Sequence, residues 1–245
     1  WQGDGTASIV IRNNSTDPSY HLEYRIGVDG QWTEITSGQE ITGLIHGQTV
    51  YGRLYDGVNE ASPASVEIKD ETNPDAPSIT PSGTSGNNSY YKSDVTVSIT
   101  AGSDNESGAD KIRYKVSGAQ TVAETTTESG TTNASITISA EGTSTITAYT
   151  IDKAGNVSEG KTQEVNKDGT APSTASLTVN SYDATSISIT ASGTDATSGV
   201  HSYQFQRSTT SSTSGFTTVA TRTSTASSYN YTYTGLTDGT TYYLR

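Results

Sequence analysis

The chain repeats itself, and that limits what it can fold into more than any other feature. Asn73-Pro74-Asp75-Ala76-Pro77-Ser78 recurs as Asp168-Gly169-Thr170-Ala171-Pro172-Ser173, with Ala-Pro-Ser in register 95 residues later. Each copy leads into an alternating run, Val95-Thr-Val97-Ser-Ile99 and Ser186-Ile187-Ser-Ile189-Thr190, and then into a loop of one design, Asp104-Asn-Glu-Ser107-Gly108 and Asp195-Ala-Thr-Ser198-Gly199. The next run appears three times, around Tyr24, Tyr114 and Phe205, at spacings of 90 and 91 residues. Gly43-Leu44-Ile-His-Gly47 answers Gly235-Leu236-Thr-Asp-Gly239, and Asp56-Gly-Val-Asn59 answers Asp152-Lys-Ala-Gly-Asn156. Self-similarity at a fixed period marks a tandem array of one structural unit.

Within each unit, apolar residues alternate with polar ones at period two, and Gly, Asn, Asp and Ser punctuate the chain every eight to twelve residues. No stretch shows the three-to-four spacing of an amphipathic helix. Short strands at this spacing, in units of about 95 residues, predict an all-β fold of antiparallel two-sheet sandwiches in an extended tandem array. Ile9 and Ile11, or Val97 and Ile99, are expected to face inward, with Ser and Thr between them facing water. Asp29-Gly30, between Ile26 and Trp32, predicts a hairpin. The expected modules are 1–72, lacking its first strand, 73–167, and 168–245, lacking its last strand, joined by short proline-bearing linkers that stiffen the joints.

Serine and threonine make up 78 of 245 residues, while Val, Ile, Leu and Phe supply only 38, so the cores must be thin. Fifteen tyrosines add apolar area that the aliphatic count misses. The formal net charge of −12 opposes nucleic-acid binding, which needs a basic footprint. No basic amphipathic stretch or long apolar run suggests a membrane partner in this segment. With no cysteine there is no disulfide, thiolate nucleophile or cysteine-bound metal. The chain opens on Trp1, contains no methionine and stops mid-pattern at Leu244-Arg245, so it reads as a piece of a longer protein.

Gly235-Leu236-Thr-Asp-Gly239-Thr-Thr-Tyr242-Tyr-Leu-Arg245 resembles the strand E to strand F passage of fibronectin type III domains, with Tyr242 where that family places its corner tyrosine. Asp152-Lys-Ala-Gly-Asn156-Val-Ser158 and Asp168-Gly-Thr-Ala-Pro172 resemble the repeats of bacterial immunoglobulin-like surface proteins. The middle unit has no Gly-Leu-x-x-Gly run and follows the immunoglobulin-like variant, and the corner at Tyr51 is shifted or absent. The resemblance implies a sandwich fold and an extracellular, cell-surface setting, and says little about activity.

The sequence shows no constellation that carries catalysis, and no cofactor or catalytic residue is expected. His21, His46 and His201 have no metal-ligand neighbour at i+2 or i+4, and no Gly-x-Ser-x-Gly elbow is present. Asp104, Glu106, Asp152, Asp195 and the linker acids Asp75 and Asp168 fall on loops or joints, where hard oxygen ligands for calcium could gather. The competing reading of these acids is ordinary loop chemistry, each carboxylate bonding nearby amides, and it leaves the metal assignment empty. Seven Asn-x-Ser/Thr sequons, at Asn13, Asn14, Asn87, Asn105, Asn133, Asn156 and Asn230, are a mild excess over chance. The tract from Ser208 to Ser214 reads as a hairpin loop or an O-glycan site, and Lys92 is a formal isopeptide candidate. Trp1, Trp32, Tyr90 and Tyr91 are candidates for an aromatic platform, or else cover the cores.

The reading that follows is a structural, non-catalytic stalk or filament subunit of a bacterial extracellular appendage. Its alternative is a recognition module, such as an adhesin, a phage tail-fibre decoration or a carbohydrate-enzyme accessory domain. The partners left open are a second copy of the chain, through edge strands, or a surface glycan or protein.

Overall fold

A computed structural model of the chain describes residues 1–173 and 176–245. Among the described residues there are 20 strands and no helix, so none is present to cross a membrane. The chain divides into two compact units, one of residues 1–82, 96–137 and 144–164, the other of residues 83–95, 138–143 and 165–245.

The first stretch of chain forms β1 (Ala7–Val10), β2 (His21–Ile26), β3 (Thr33–Glu34), β4 (Glu40–Leu44), β5 (Thr49–Tyr55) and β6 (Ala64–Glu67). They make two sheets, β1-β4 and β3-β2-β5-β6, around a core of Ala7, Leu22, Ile35, Ile41, Leu44, Val50 and Ile68. Ile9 and Ile11 pack against that core, as the alternation requires. The hairpin from β2 to β3 forms, and its backbone shows why it holds two glycines. Gly27 takes the left-handed φ of +74°, and at Gly30 a Cβ would lie 2.2 Å from the Ile26 carbonyl oxygen. On the outer face Arg25 and Arg53 lie over the Trp32 ring, 4.7 and 4.2 Å from its centroid, and Arg53 bonds Glu23 at 2.8 Å.

Next come β7 (Ser78–Ser82), β8 (Tyr90–Tyr91), β9 (Val95–Thr100), β10 (Ala109–Gly118), β11 (Val122–Thr126), β12 (Asn133–Ile138), β13 (Gly142–Asp152) and β14 (Lys161–Lys167). The sheet orders are β12-β9-β7 and β11-β10-β13-β14-β8. In β9 the alternation is complete: Val95, Val97 and Ile99 are fully buried while Thr96, Ser98 and Thr100 are exposed. Each such side chain contributes about 1.5–3 kcal/mol on burial. In β13 the inward positions are Ser144, Ile146, Ala148, Thr150 and Asp152, apolar in the middle and polar at both ends. The buried hydroxyls are matched by loop amides, Gln120 N to Ser144 Oγ at 3.0 Å and Gly102 N to Thr150 Oγ1 at 2.9 Å.

The last stretch forms β15 (Ser176–Tyr182), β16 (Ser186–Ser192), β17 (Ser202–Ser208), β18 (Thr217–Thr223), β19 (Ser228–Thr234) and β20 (Tyr243–Leu244), in sheets β15-β16-β19 and β18-β17-β20. Their core is aromatic: Phe205 stacks on Tyr231 at 4.2 Å between centroids and meets Tyr233 edge-on at 6.3 Å. Tyr233, 1% exposed, donates its hydroxyl to the carbonyls of Gln206 and Arg245 at 3.1 and 3.3 Å. The Ser208–Ser214 tract closes the β17–β18 hairpin around buried Ser208, whose hydroxyl donates to Ser214 O at 2.7 Å and accepts Thr210 N at 3.0 Å.

Burial, helped by the Tyr231 phenol, pushes the Tyr233 phenol up to about 12. A phenol that ionises near 10 when unfolded favours the unfolded state once the pH passes 10, so stability present below that value drains as pH rises toward 12. Urea unfolding of the wild type should lose about 2 kcal/mol more than Tyr233→Phe across this window. Equal losses in the two proteins would show that Tyr233 ionisation does not set alkaline stability.

Candidate functional site

The chemistry of this chain concentrates in aspartate-bearing loops at two linkers. The first begins just past β6, where the core residue Ile68 leads into Lys69-Asp70-Glu71-Thr72. Asp70 is 3% exposed, and its carboxylate accepts the Thr72 amide at 3.0 Å and the Ser107 amide at 2.9 Å. Its own amide donates to His46 Nδ1 at 3.0 Å, and its carbonyl accepts the Asn156 side-chain amide at 3.2 Å. One residue thus ties the linker to the loop after β4, to the loop between β9 and β10, and to the turn after β13.

Two further acids face it. Asp104 accepts the amides of Glu106 and Gly108 at 3.0 and 2.6 Å, and Asp152 accepts the backbone and side-chain amides of Asn156, both at 2.8 Å. Carboxylate oxygens of Asp70, Asp104 and Asp152 lie within 4.8 Å of one another, hard ligands of the type a calcium ion takes. The structure therefore brings together Asp104 and Asp152, two of the expected acids, and adds Asp70. Glu106 stands beside them, accepting the Thr72 hydroxyl at 3.0 Å. Asp75 does not join: its carboxylate takes the Ser103 hydroxyl and its amide donates to Ser103 O at 2.8 Å.

Burial raises the Asp70 carboxyl, but the bonds from Ser107, Thr72 and Glu106 outweigh it, and the net shift is downward. Glu106 moves the other way, raised first by burial and then by Asp70 itself. Of the adjacent pair, Asp70 keeps the charge and Glu106 is the readier to hold a proton.

The second linker, Lys167-Asp168-Gly169-Thr170, repeats the carboxylate bonds of this arrangement, while the Asp168 amide donates to Tyr91 O at 2.8 Å where the Asp70 amide met a histidine. Asp168 follows β14, is 7% exposed, and accepts the Thr170 amide at 3.0 Å and the Ser198 amide at 3.1 Å. Asp195 accepts the amides of Thr197, Ser198 and Gly199 at 2.9–3.0 Å. The threonine hydroxyl again donates to a glutamate, here Glu141, at 2.8 Å. Bonds from Ser198 lower the Asp168 carboxyl against the opposing effect of burial. The structure thus pairs Asp70 with Asp168, whereas the Ala-Pro-Ser register sets Asn73 against Asp168. Asp75 matches Ser173, whose amide donates to Thr194 O at 2.7 Å. The Lys-Asp-x-Thr match 98 residues apart is the sequence signal that finds Asp70.

The other candidates sit elsewhere. His21 pairs with Glu34 at 2.9 Å on the surface, and Lys92 is exposed with no ion pair among the described residues. Trp1 packs on the core of the β1–β6 sandwich, Trp32 is covered by guanidinium groups, and Tyr90 and Tyr91 pair with β14. The Asn156 sequon is occupied by its bonds to Asp70 and Asp152. Tyr242 behaves as a corner tyrosine: its hydroxyl accepts the Thr237 amide at 3.1 Å, which lowers its pKa.

No family model matches the sequence, and no curated protein matches it. Among solved structures, the FN1–FN3 domains of chicken CNTN1 align with 98% of this chain and 87% of theirs, at 14% identity and a TM-score of 0.32. A tetra-tandem repeat from the extending region of a large adhesion protein aligns with 96% of this chain and 67% of its own, at 16% identity and a TM-score of 0.36. The chain's own strand orders define its class. Where all seven strands are present, the first, second and fifth form one sheet, and the fourth, third, sixth and seventh the other, with the short extra strand β8 at its edge beside the seventh. It is an all-β protein of tandem immunoglobulin-like, fibronectin type III-like sandwiches.

Asp70→Ala leaves the Thr72 and Ser107 amides without an acceptor and should cost about 2–3 kcal/mol in chemical denaturation at pH 7, whereas Asp168→Ala orphans only the Thr170 amide, the Ser198 amide keeping Asp195, and should cost about 1–2 kcal/mol. Because both carboxyls are depressed in the folded state, their contribution is full above the usual carboxyl pKa near 4 and is lost as pH falls through their own lower values. The gap between wild type and either variant should therefore narrow toward pH 2. A gap independent of pH would show that the carboxylate charge is not what holds the loop.

Proposed function

We propose that the chain is a structural, non-catalytic repeat region of a bacterial extracellular surface protein, a stalk or filament subunit built from modules at 1–72, 73–167 and 168–245. The observation that carries the reading is the recurrence of the same bonds at both linkers. An aspartate just past the last strand of one repeat accepts the amide of a serine in the β-loop of the next, Asp70 to Ser107 and Asp168 to Ser198. A tether needs only a flexible link, whereas a buried, charge-assisted bond repeated at each linker holds an angle. The proline after each clamp, Pro74 and Pro172, restricts the backbone further. The hydroxyl-rich acidic surface keeps such an array soluble outside the cell.

Small-angle scattering tests this directly. With modules roughly 30 Å long, the wild type should give a maximum dimension near about 100 Å and a narrow distance distribution. The Asp70→Ala/Asp168→Ala double variant should keep its strand content and broaden that distribution. A wild type already as flexible as the double variant would remove the stalk reading.

A further inference from the structure

A cleft of about 370 Å³ opens beside the second linker and lies wholly within one compact unit. Three internal segments wall it: residues 86–92, which lead into and through β8, the linker at 168–172, and the loop at 195–202. Its size falls at the lower end of the ~300–1,000 Å³ typical of small-molecule clefts. Asn87, Tyr90, Lys92 and His201 meet here, all singled out by the sequence and none of them used by the carboxylate bonds of the linker.

The turn that forms one wall is held in a costly conformation. The Gly86 amide donates to Tyr90 O at 2.7 Å and the Tyr90 amide to Asn87 O at 3.0 Å, which closes the turn and starts β8. At its tip Asn88 and Ser89 have φ of +53° and +63°, in the left-handed region that side chains avoid. Among the described residues they are the only non-glycine residues there. A seven-strand sandwich does not need this excursion, since β8 is an addition at the sheet edge. Strain kept where the fold does not require it points to a use for the side chains it displays.

The chemistry of the wall suits a ligand rich in hydroxyls. Among the described residues the side chains of Asn87, Asn88, Lys92 and His201 have no hydrogen bond or ion pair. Asp168 and Asp195 are turned onto the amides of Thr170, Thr197, Ser198 and Gly199, and Lys92 sets an ammonium beside them, so the wall selects neither sign of charge. A carboxamide and an imidazole each offer a donor and an acceptor, the pairing that a sugar hydroxyl presents in return. Tyr90 is half-buried, with its hydroxyl donated to Thr197 O at 3.3 Å, and together with Pro172 it gives apolar surface for ring C–H groups. We propose that this cleft binds one ring of a neutral saccharide, with Asn87, Asn88 and His201 bonding its hydroxyls and Tyr90 and Pro172 covering its apolar face. The inference goes beyond the stalk reading and does not depend on it.

Amide NMR of the isotope-labelled complete chain tests it, with the methyl glycosides of glucose, galactose, mannose and N-acetylglucosamine as probes. At least one of them should move the amides of residues 86–92, 169–170 and 198–202 together and leave those of the β1–β6 sandwich still. Asn88→Gly suits the positive φ and His201→Ala removes an unbonded ring, so the spectrum elsewhere should show both variants folded. The double variant should bind about tenfold more weakly, from two lost hydrogen bonds. Lys161→Ala, exposed and outside the cleft, should bind like the wild type. Glucuronate and glucosamine read the charge preference, and tighter binding of either than of every neutral glycoside would overturn the neutral class. No shift with any glycoside, shifts confined to other residues, or a double variant that binds unchanged would each overturn the proposal. None of these results alters the scattering test of the stalk, which reads the arrangement of modules alone.

Discussion

The hydrogen bond from a backbone amide to an aspartate carboxylate underlies the rest of this structure. Asp17, Asp56, Asp104, Asp152, Asp183 and Asp195 each accept amides two to four residues further on. A tight loop turns several N–H groups away from the strand ladder, and one carboxylate can take two or three of them. In Asp56, where Asn59 supplies both backbone and side-chain donors, the pKa falls to about 2. These loops sit at the ends of the sandwiches, so the short strands between them are fixed at both ends. At the linkers the same interaction reaches across to a neighbouring loop, so the chemistry that closes a turn also fixes the linker to the loop beside it.

A thin core makes this necessary. With few aliphatic side chains, the buried interior is filled in the middle and becomes polar toward the rims, as along β13 from Ile146 to Asp152. Polar rims are stable only when each buried oxygen meets a donor, and the hydroxyls of Ser144 and Thr150 do so through loop amides. In the β15–β20 sandwich tyrosine takes the place of missing leucine. Tyr203 and Tyr233 bury their rings and return their hydroxyls to backbone carbonyls, so each contributes area without leaving an unpaired group.

The linker acids show how position separates chemically similar groups. Asp70 and Glu106 are adjacent carboxyls, yet one is lowered and the other raised, because the amides of Thr72 and Ser107 converge on Asp70 and none converges on Glu106. The carboxylate that joins the linker to the loop between β9 and β10 is thereby the one that stays charged. The cluster of Asp70, Asp104 and Asp152 presents oxygens suited to a hard cation, while the amides already bound to them are what makes the carboxylates part of the fold.

Much of the architecture was legible in sequence, because strand alternation and turn chemistry are local. The inward residues Val97 and Ile99, the β2–β3 hairpin, the corner at Tyr242 and the loop aspartates Asp104, Asp152 and Asp195 all follow from spacings of a few residues. Asp70 did not, because its partners His46, Ser107 and Asn156 lie 24, 37 and 86 residues away and meet it only after the sheets have paired. The Ala-Pro-Ser register sets Asn73, not Asp70, against Asp168, because the bonded pair lies 98 residues apart and that motif 95. A strand's sequence sets which face is apolar, but whether anything covers its edge depends on which other strands the fold brings beside it.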